Sequence, residues 1–464
     1  MIGALALLAV NSVAKSDLSA VKAPPGPIRT GQGDFIYEYQ PSLLQVPPSP
    51  KSGGQNVLNG HGIARDSAGN LYFTFQPANV AEDTQCLAKF NPDGTNGILL
   101  GDKGPTGLSQ GTPHGLRLEH DAAKKQDFLY HANNAALVFK TDTDGKVVYK
   151  IDLNHWEQDN KAFWPCKPTD ATVVGDTLYV SDGYGTSWIH MFNKHDGTYL
   201  KSFGGAGKTS ADPVKFHTPH SLSADPRFPG QLLITDRSNE RLVFVDHDGH
   251  FKSEVDVSKG GQPSPGSNGL PCSSHFMTDA KAGMVSIIPA LGDSHADVEH
   301  GMNFSNTGSV GIYDKNNMLV SEIEVAKYLW KTGHQHPHDA LFMPNGDVVV
   351  ACYGGGCGGK PSAGCQASQF PHQTGASGGT ISYWKRVAPP PPPKPLPLPL
   401  PTKADAAVVS GQGDWKYQFM PGLVNLPQTE SHNDLNGHGL CKDKEGNIYF
   451  TFVPNHVVAS TQVR

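Results

Sequence analysis

Short runs of β-branched and aromatic residues, broken by glycine-rich turns, recur along this chain at a regular spacing. Asn70-Leu71-Tyr72-Phe73-Thr74-Phe75, Phe128-Leu129-Tyr130, Thr177-Leu178-Tyr179-Val180 and Gln231-Leu232-Leu233-Ile234 are four such runs, followed by Met284 to Ile288 and Asp347 to Val350. Each predicts a strand of the length and composition that suits a half-buried sheet. Another strand follows, as in Ala136-Leu137-Val138-Phe139, Trp188 to Phe192 and Arg241 to Val245, and then an Asp-Gly step: Asp93-Gly94, Asp144-Gly145, Asp196-Gly197, Asp248-Gly249. Asp-Gly supplies the positive φ of a tight hairpin, and these turns recur every 51 or 52 residues. With an opening strand before each run and a closing strand after each turn, the unit has four strands. Six units predict an all-β, six-bladed β-propeller. The sixth unit stops at proline after Thr380 to Lys385, one strand short. Asp34-Phe35-Ile36-Tyr37-Glu38-Tyr39 has the right alternation to supply it from the N-terminal side, closing the ring and removing both sheet edges. The propeller is expected over residues 31–387.

The unit openings carry the candidate chemistry. Thr112-Pro113-His114-Gly115-Leu116, Thr218-Pro219-His220-Ser221-Leu222 and His336-Pro337-His338-Asp339-Ala340 are three Pro-His steps, their histidines 106 and 118 residues apart. Lys167-Pro168-Thr169-Asp170-Ala171 and Phe276-Met277-Thr278-Asp279-Ala280 are openings without histidine, and Gly60-His61-Gly62-Ile63-Ala64 precedes them all. Pro-His therefore falls in the second, fourth and sixth units. Alternate units of a sixfold ring lie about a pseudo-threefold axis, so the three histidines are expected to converge, and a threefold imidazole cluster suits zinc. His61, echoed by His438, reads as a structural mark of a repeated unit start.

Composition narrows the class. A formal charge of −6 with 17% charged residues excludes an electrostatic nucleic-acid binder, and no eighteen-residue apolar run could span a bilayer. Residues 1–30 read as a leader and linker. Ile2 to Val10 has the form of a secretory signal core, with Ser12-Val13-Ala14 as its cleavage step. An extracellular address follows, and under it Asn303-Phe304-Ser305 is a glycosylation sequon. Cys352, Cys357 and Cys365 crowd a glycine-rich insertion where disulfides would hold a loop with little core.

Residues 388–403 are a proline-rich linker, with proline alternating with leucine toward its end, and predict a polyproline II rod. Residues 404–464 then begin the pattern again. Gly411-Gln412-Gly413-Asp414-Trp415 repeats Gly31 to Phe35, and Leu435-Asn436-Gly437-His438-Gly439 repeats Leu58 to Gly62. This reads as the first part of a second propeller. It predicts strand addition between identical subunits and an extracellular tandem-propeller fibre as one possible role.

The motifs Pro-His-Gly-Leu, Ser181-Asp182-Gly183-Tyr184, Thr-Pro-His-Ser-Leu, Asp236-Arg237 and Pro-His-Asp resemble those of the peptidyl-α-hydroxyglycine α-amidating lyases, propeller enzymes of the NHL-repeat group. The resemblance covers about residues 31–387. It implies a secreted lyase that cleaves peptidyl-α-hydroxyglycine to a peptide amide and glyoxylate. By the same resemblance, zinc would be held by His114, His220 and His338, with Tyr184 and Arg237 as catalytic residues. Calcium would be held by Asp339 and the backbone carbonyls of Leu116 and Ile63. A positive charge from metal and arginine would lower the pKa of Tyr184 and suit it to act as a base. Two substrate-contacting positions depart from the family's pattern: Gln76 stands where it has arginine, and His336, a further candidate ligand, where it has methionine. A non-catalytic module of an extracellular assembly is the competing reading.

Overall fold

Six sheets arranged as blades make up the body of the protein. The structure is a computed structural model and describes residues 26–47, 57–77, 84–104, 107–156, 160–207, 212–258, 269–292, 308–329, 334, 336–353 and 381–388. It also describes the backbone of four strands between residues 409 and 454. Residues 1–25 of the expected leader and linker (1–30), Asn303, Cys357, Cys365 and the proline run after residue 388 lie outside the described residues. Two compact units divide the chain, Met1–Pro389 and Pro390–Arg464. Among the described residues, no helix is long and apolar enough to cross a membrane.

Blade 1 is the sheet of Val57–Arg65, Leu71–Pro77, Leu87–Phe90 and Ile98–Leu100. Blade 2 runs Pro113–Asp121, Gln126–Asn133, Leu137–Asp142, Val147–Asp152, and blade 3 runs Asp170–Val174, Thr177–Ser181, Trp188–Asn193, Tyr199–Gly204. Blade 4 holds Pro219–Ala224, Gln231–Asp236, Arg241–Asp246 and Phe251–Asp256; blade 5 holds His275–Asp279, Gly283–Ala290, Ser309–Tyr313 and Leu319–Ile323. The predicted Asp-Gly hairpins carry the required positive φ at Gly94, Gly145, Gly197 and Gly249. Burial falls from the middle of a blade to its rim. Nearly every residue of Leu71–Pro77 is buried, while Phe251–Asp256 is almost wholly exposed. A strand covered on both faces reads as a continuous apolar run, which is why the second strands were so plain in the sequence.

The sixth blade closes as the alternation of Asp34 to Tyr39 predicts. His336–Phe342, Val348–Tyr353 and Ile381–Val387 are joined by Phe35–Tyr39, which pairs antiparallel with the last of them, Ile36 opposite Val387 and Tyr39 opposite Trp384. A further strand, Arg29–Gln32, extends this sheet to five. Phe35 and Tyr37 are buried in one apolar layer with Ile287, Ile312 and Trp384, so the closing strand also packs on blade 5.

In the second unit, Asp434–Lys442 pairs with Ile448–Pro454. Its register shifts, Asp434/Asn436 and Gly437/Gly439, fall where the first two strands of blade 1 shift, at Val57/Asn59 and Gly60/Gly62.

Candidate metal centre

A β-bulge sets each histidine of the centre. In blade 2 the ladder jumps from Pro113 to Leu116; in blade 4 it jumps from Pro219 to Ser221, and in blade 6 from Pro337 to Asp339. Blade 1 jumps from Gly60 to Gly62. The skipped residues include His114, His220, His338 and His61. A bulge leaves one residue without a cross-strand partner and re-aims its side chain. Close packing of neighbouring inner strands fixes what may follow. A Cβ on Gly62 would come within 2.4 Å of the Leu116 nitrogen, and one on Gly115 within 2.4 Å of the Thr169 carbonyl oxygen.

The structure brings the three Pro-His rings together. Ring centroids lie 5.0 Å apart for His114 and His220, 4.7 Å for His114 and His338, and 4.6 Å for His220 and His338. Each ring is held from behind by a backbone carbonyl of the next blade. His114 Nδ1 meets Thr169 O at 2.7 Å, His220 Nδ1 meets Cys272 O at 2.8 Å, and His338 Nδ1 meets His61 O at 3.3 Å. An imidazole that donates Nδ1–H to a carbonyl presents the Nε2 lone pair forward, the usual support of a metal-bound histidine. The Nε2 atoms of His114 and His338 are buried with no partner among the described residues. Burial holds His114 down to about 3 and keeps His220 and His338 well below the usual histidine value. The rings are neutral, the form that ligates. A cavity of about 10 Å³ among His61, His114, His220, Cys272, His338 and Asp339 has room for one small ion. This donor set fits zinc.

Those carbonyls also locate the equivalent residue in each odd blade: His61, Thr169 and Cys272. The opening of blade 5 is therefore Pro271-Cys272-Ser273-Ser274, not the expected Phe276 to Ala280, which lies farther along. Cys272 stands at the histidine position and had been missed. Its thiol is pushed up to about 11 by burial, with Arg237 opposing.

Tyr184 and Arg237 stand over this cluster. The Tyr184 hydroxyl lies 3.1 Å from His220 Nε2 and accepts a hydrogen bond from Arg237 Nη1 at 3.0 Å. A buried aspartate pins each turn. Asp182 accepts from the Lys167 and Thr186 amides, and Asp236 accepts from the His217 amide, Asn239 and Arg241. At Tyr184 desolvation raises the pKa although the residue is 36% exposed, and Arg237 lowers it, the direction expected of the arginine. Gln76 is the last residue but one of the second strand of blade 1, where its Oε1 accepts from Asn59 Nδ2 at 2.8 Å. His336 turns its Nδ1 to Leu291 O at 2.6 Å, with its ring facing Tyr353.

Beneath the histidines lies a cross-channel ion network that sequence reasoning did not find. Arg117 of blade 2 holds Asp170 of blade 3 through Nε and Nη2, and its Nη1 reaches His275 of blade 5 at 2.8 Å. His275 Nε2 lies 3.0 Å from Asp339 Oδ1, and Asp339 Oδ2 accepts the Ile63 amide at 2.8 Å. Ser273 also donates to Asp339. Burial alone would raise the pKa of Asp339, but His275, Arg117 and the Ser273 hydroxyl outweigh it. Both carboxylate oxygens thus accept from protein donors, and a guanidinium supplies the local positive charge. That arrangement does not fit the calcium site expected from Asp339, Leu116 and Ile63. Cys86, Cys166, Cys272 and Cys352 are buried and form no disulfide among the described residues.

No family model matches the chain. It is 30% identical to the peptidylglycine alpha-amidating monooxygenase of Rattus norvegicus over 203 residues, 39% of this chain and 20% of that protein. The Mus musculus peptidyl-glycine alpha-amidating monooxygenase is 30% identical over 234 residues, 45% of this chain and 22% of that protein. The match thus spans about a fifth of each relative's length. Among solved structures, a streptogramin B lyase superposes with a TM-score of 0.41 and 13% identity, covering 74% of this chain and 96% of that one. A luciferin-regenerating enzyme gives a TM-score of 0.43 and 11% identity, covering 77% and 95%. The propeller assignment rests on the chain's own sheet order.

Proposed function

We propose that this protein is a secreted zinc-dependent lyase of the α-amidating type, acting on peptides that end in α-hydroxyglycine or a related carbinolamide. One observation carries the reading: the Tyr184 hydroxyl is held between Arg237 and His220 at the edge of three carbonyl-oriented imidazoles. His114, His220 and His338 would hold the zinc. When bound, zinc makes a substrate hydroxyl easier to deprotonate. Tyr184 is placed to take that proton and return it to the amide nitrogen as the carbon–nitrogen bond breaks. The hydroxyl carbon becomes the aldehyde of glyoxylate, and the nitrogen leaves as the peptide amide. Arg237 orients Tyr184 and offers positive charge to the substrate carboxylate. Gln76 is neutral where the resembling family has a second cation, so carboxylate binding rests on Arg237. The partial match to amidating monooxygenases supports this reading.

Incubating the full chain with an α-hydroxyglycine peptide and measuring glyoxylate tests it. Tyr184→Phe should lower turnover at least about a hundredfold while zinc content stays at the wild-type value. Zinc-loaded wild type that releases no glyoxylate would end the lyase reading. A second reading, a structural module of a tandem array, draws on the blade 1 register repeated in the second unit.

A further inference from the structure

We propose that His61 is a fourth imidazole ligand of the same centre, filling the coordination position that a substrate oxygen would otherwise find open. The inference rests on the metal reading above and concerns a residue which that reading leaves unused. His61 touches the two histidines that His220 also touches: its ring centroid is 4.5 Å from His114 and 4.8 Å from His338. One nitrogen from each of His61, His114 and His338 can be chosen so that all three lie within 4.8 Å of one another. Neither His336, the extra ligand suggested by the sequence, nor His220, whose Nε2 meets the Tyr184 hydroxyl, is in that group; His220 joins the cluster by its ring distances to His114 and His338.

Both ring nitrogens of His61 are buried without a hydrogen-bond partner among the described residues, and the residue is 2% exposed. An imidazole in a dry site with neither nitrogen satisfied is costly. A core histidine retained only for packing would be expected to hold at least one partner. A metal ion in the adjoining cavity supplies one. Burial and the neighbouring His114 keep the ring in the neutral, ligating form.

Support differs between His61 and the other three. His114, His220 and His338 are each locked by a carbonyl, whereas His61 contributes the carbonyl that locks His338 and has none behind its own ring. His61 is thus the ligand least held by the protein, and the one a substrate oxygen can displace. Zinc favours four ligands, and a catalytic site keeps one place exchangeable. Here the exchangeable place is taken by a side chain from the first blade.

Cobalt(II) titration of the full chain tests this, with visible absorption as the readout and azide as the competing small ligand. Wild type should take up one cobalt ion in a four-coordinate spectrum that millimolar azide leaves unchanged. His61→Ala should bind cobalt roughly tenfold more weakly or worse and develop a new band with azide, and free imidazole should restore the wild-type spectrum. His61→Phe keeps an aromatic ring in the space but has no ligating nitrogen, so it should show the same weakened binding and azide band even if folding demands that volume. Equal cobalt affinity and equal azide response in wild type and both variants would overturn the role of His61. A folded wild type that takes up no cobalt would instead remove the metal centre itself, a separate failure.

Discussion

Neutral buried imidazoles extend beyond the centre, and they set how the protein responds to acid. His190, in the third strand of blade 3, is fully buried among Trp156 and Phe163, with Nδ1 2.8 Å from Ser202 Oγ. Burial holds its pKa down to about 3, against about 6.5 in an unfolded chain. Between those values the unfolded state binds the extra proton. Stability is therefore unaffected above about pH 6.5 and falls as pH drops through the window, by about 1.4 kcal/mol per pH unit for this one group. His190→Leu should remove that share of the slope. Urea unfolding of both proteins from pH 7 to pH 4 checks it, and parallel slopes would show that His190 does not titrate as described.

At the scale of elements, the closing strand and the inner strands teach different lessons. Phe35–Tyr39 could be read from alternation alone because its two faces meet different surroundings, and its pairing with Ile381–Val387 was the one place left for it. Tyr37 tests the packing. It is fully buried, and its hydroxyl has no partner among the described residues. Tyr37→Phe should be neutral or stabilising, by up to about 1–2 kcal/mol, and Tyr37→Ala should cost about 3–5 kcal/mol. Denaturant midpoints separate the two outcomes. The inner strands were legible only where proline marked the histidine. Gly60-His61-Gly62 builds the same bulge without proline, so His61 passed for a repeat marker although it precedes His114 by one unit. Pro271-Cys272 keeps the proline and loses the histidine, and the more regular Phe276 to Ala280 drew attention from it. Arg117 sat inside an apolar strand pattern, and its partners come from other blades, which spacing along the chain does not reveal.

The propeller is tied across its channel as well as within its blades. Arg117, Asp170, His275 and Asp339 connect blades 2, 3, 5 and 6, and the Ile63 amide and the Leu222 amide bring in blades 1 and 4. Arg117→Met leaves Asp170 charged and buried, and should cost about 3–5 kcal/mol. Adding Asp170→Asn should recover part of that loss, while a calcium chelator should leave the wild-type unfolding midpoint unmoved. A calcium-dependent wild type would overturn the view that Arg117 supplies this charge. The closing strand also sets a clock. Arg386 bonds the Asp34 carbonyl across 352 positions of chain, and His338 comes from the blade that this closure completes. Translation at typical rates needs on the order of tens of seconds to cover that distance. Through that interval Phe35–Tyr39 waits without the strand that completes its sheet, while blades 1 to 5 assemble from their own consecutive strands, and neither the ring nor its cluster of imidazoles can exist. The closing strand of this ring acquires its partner only when the last strand of blade 6 has been made.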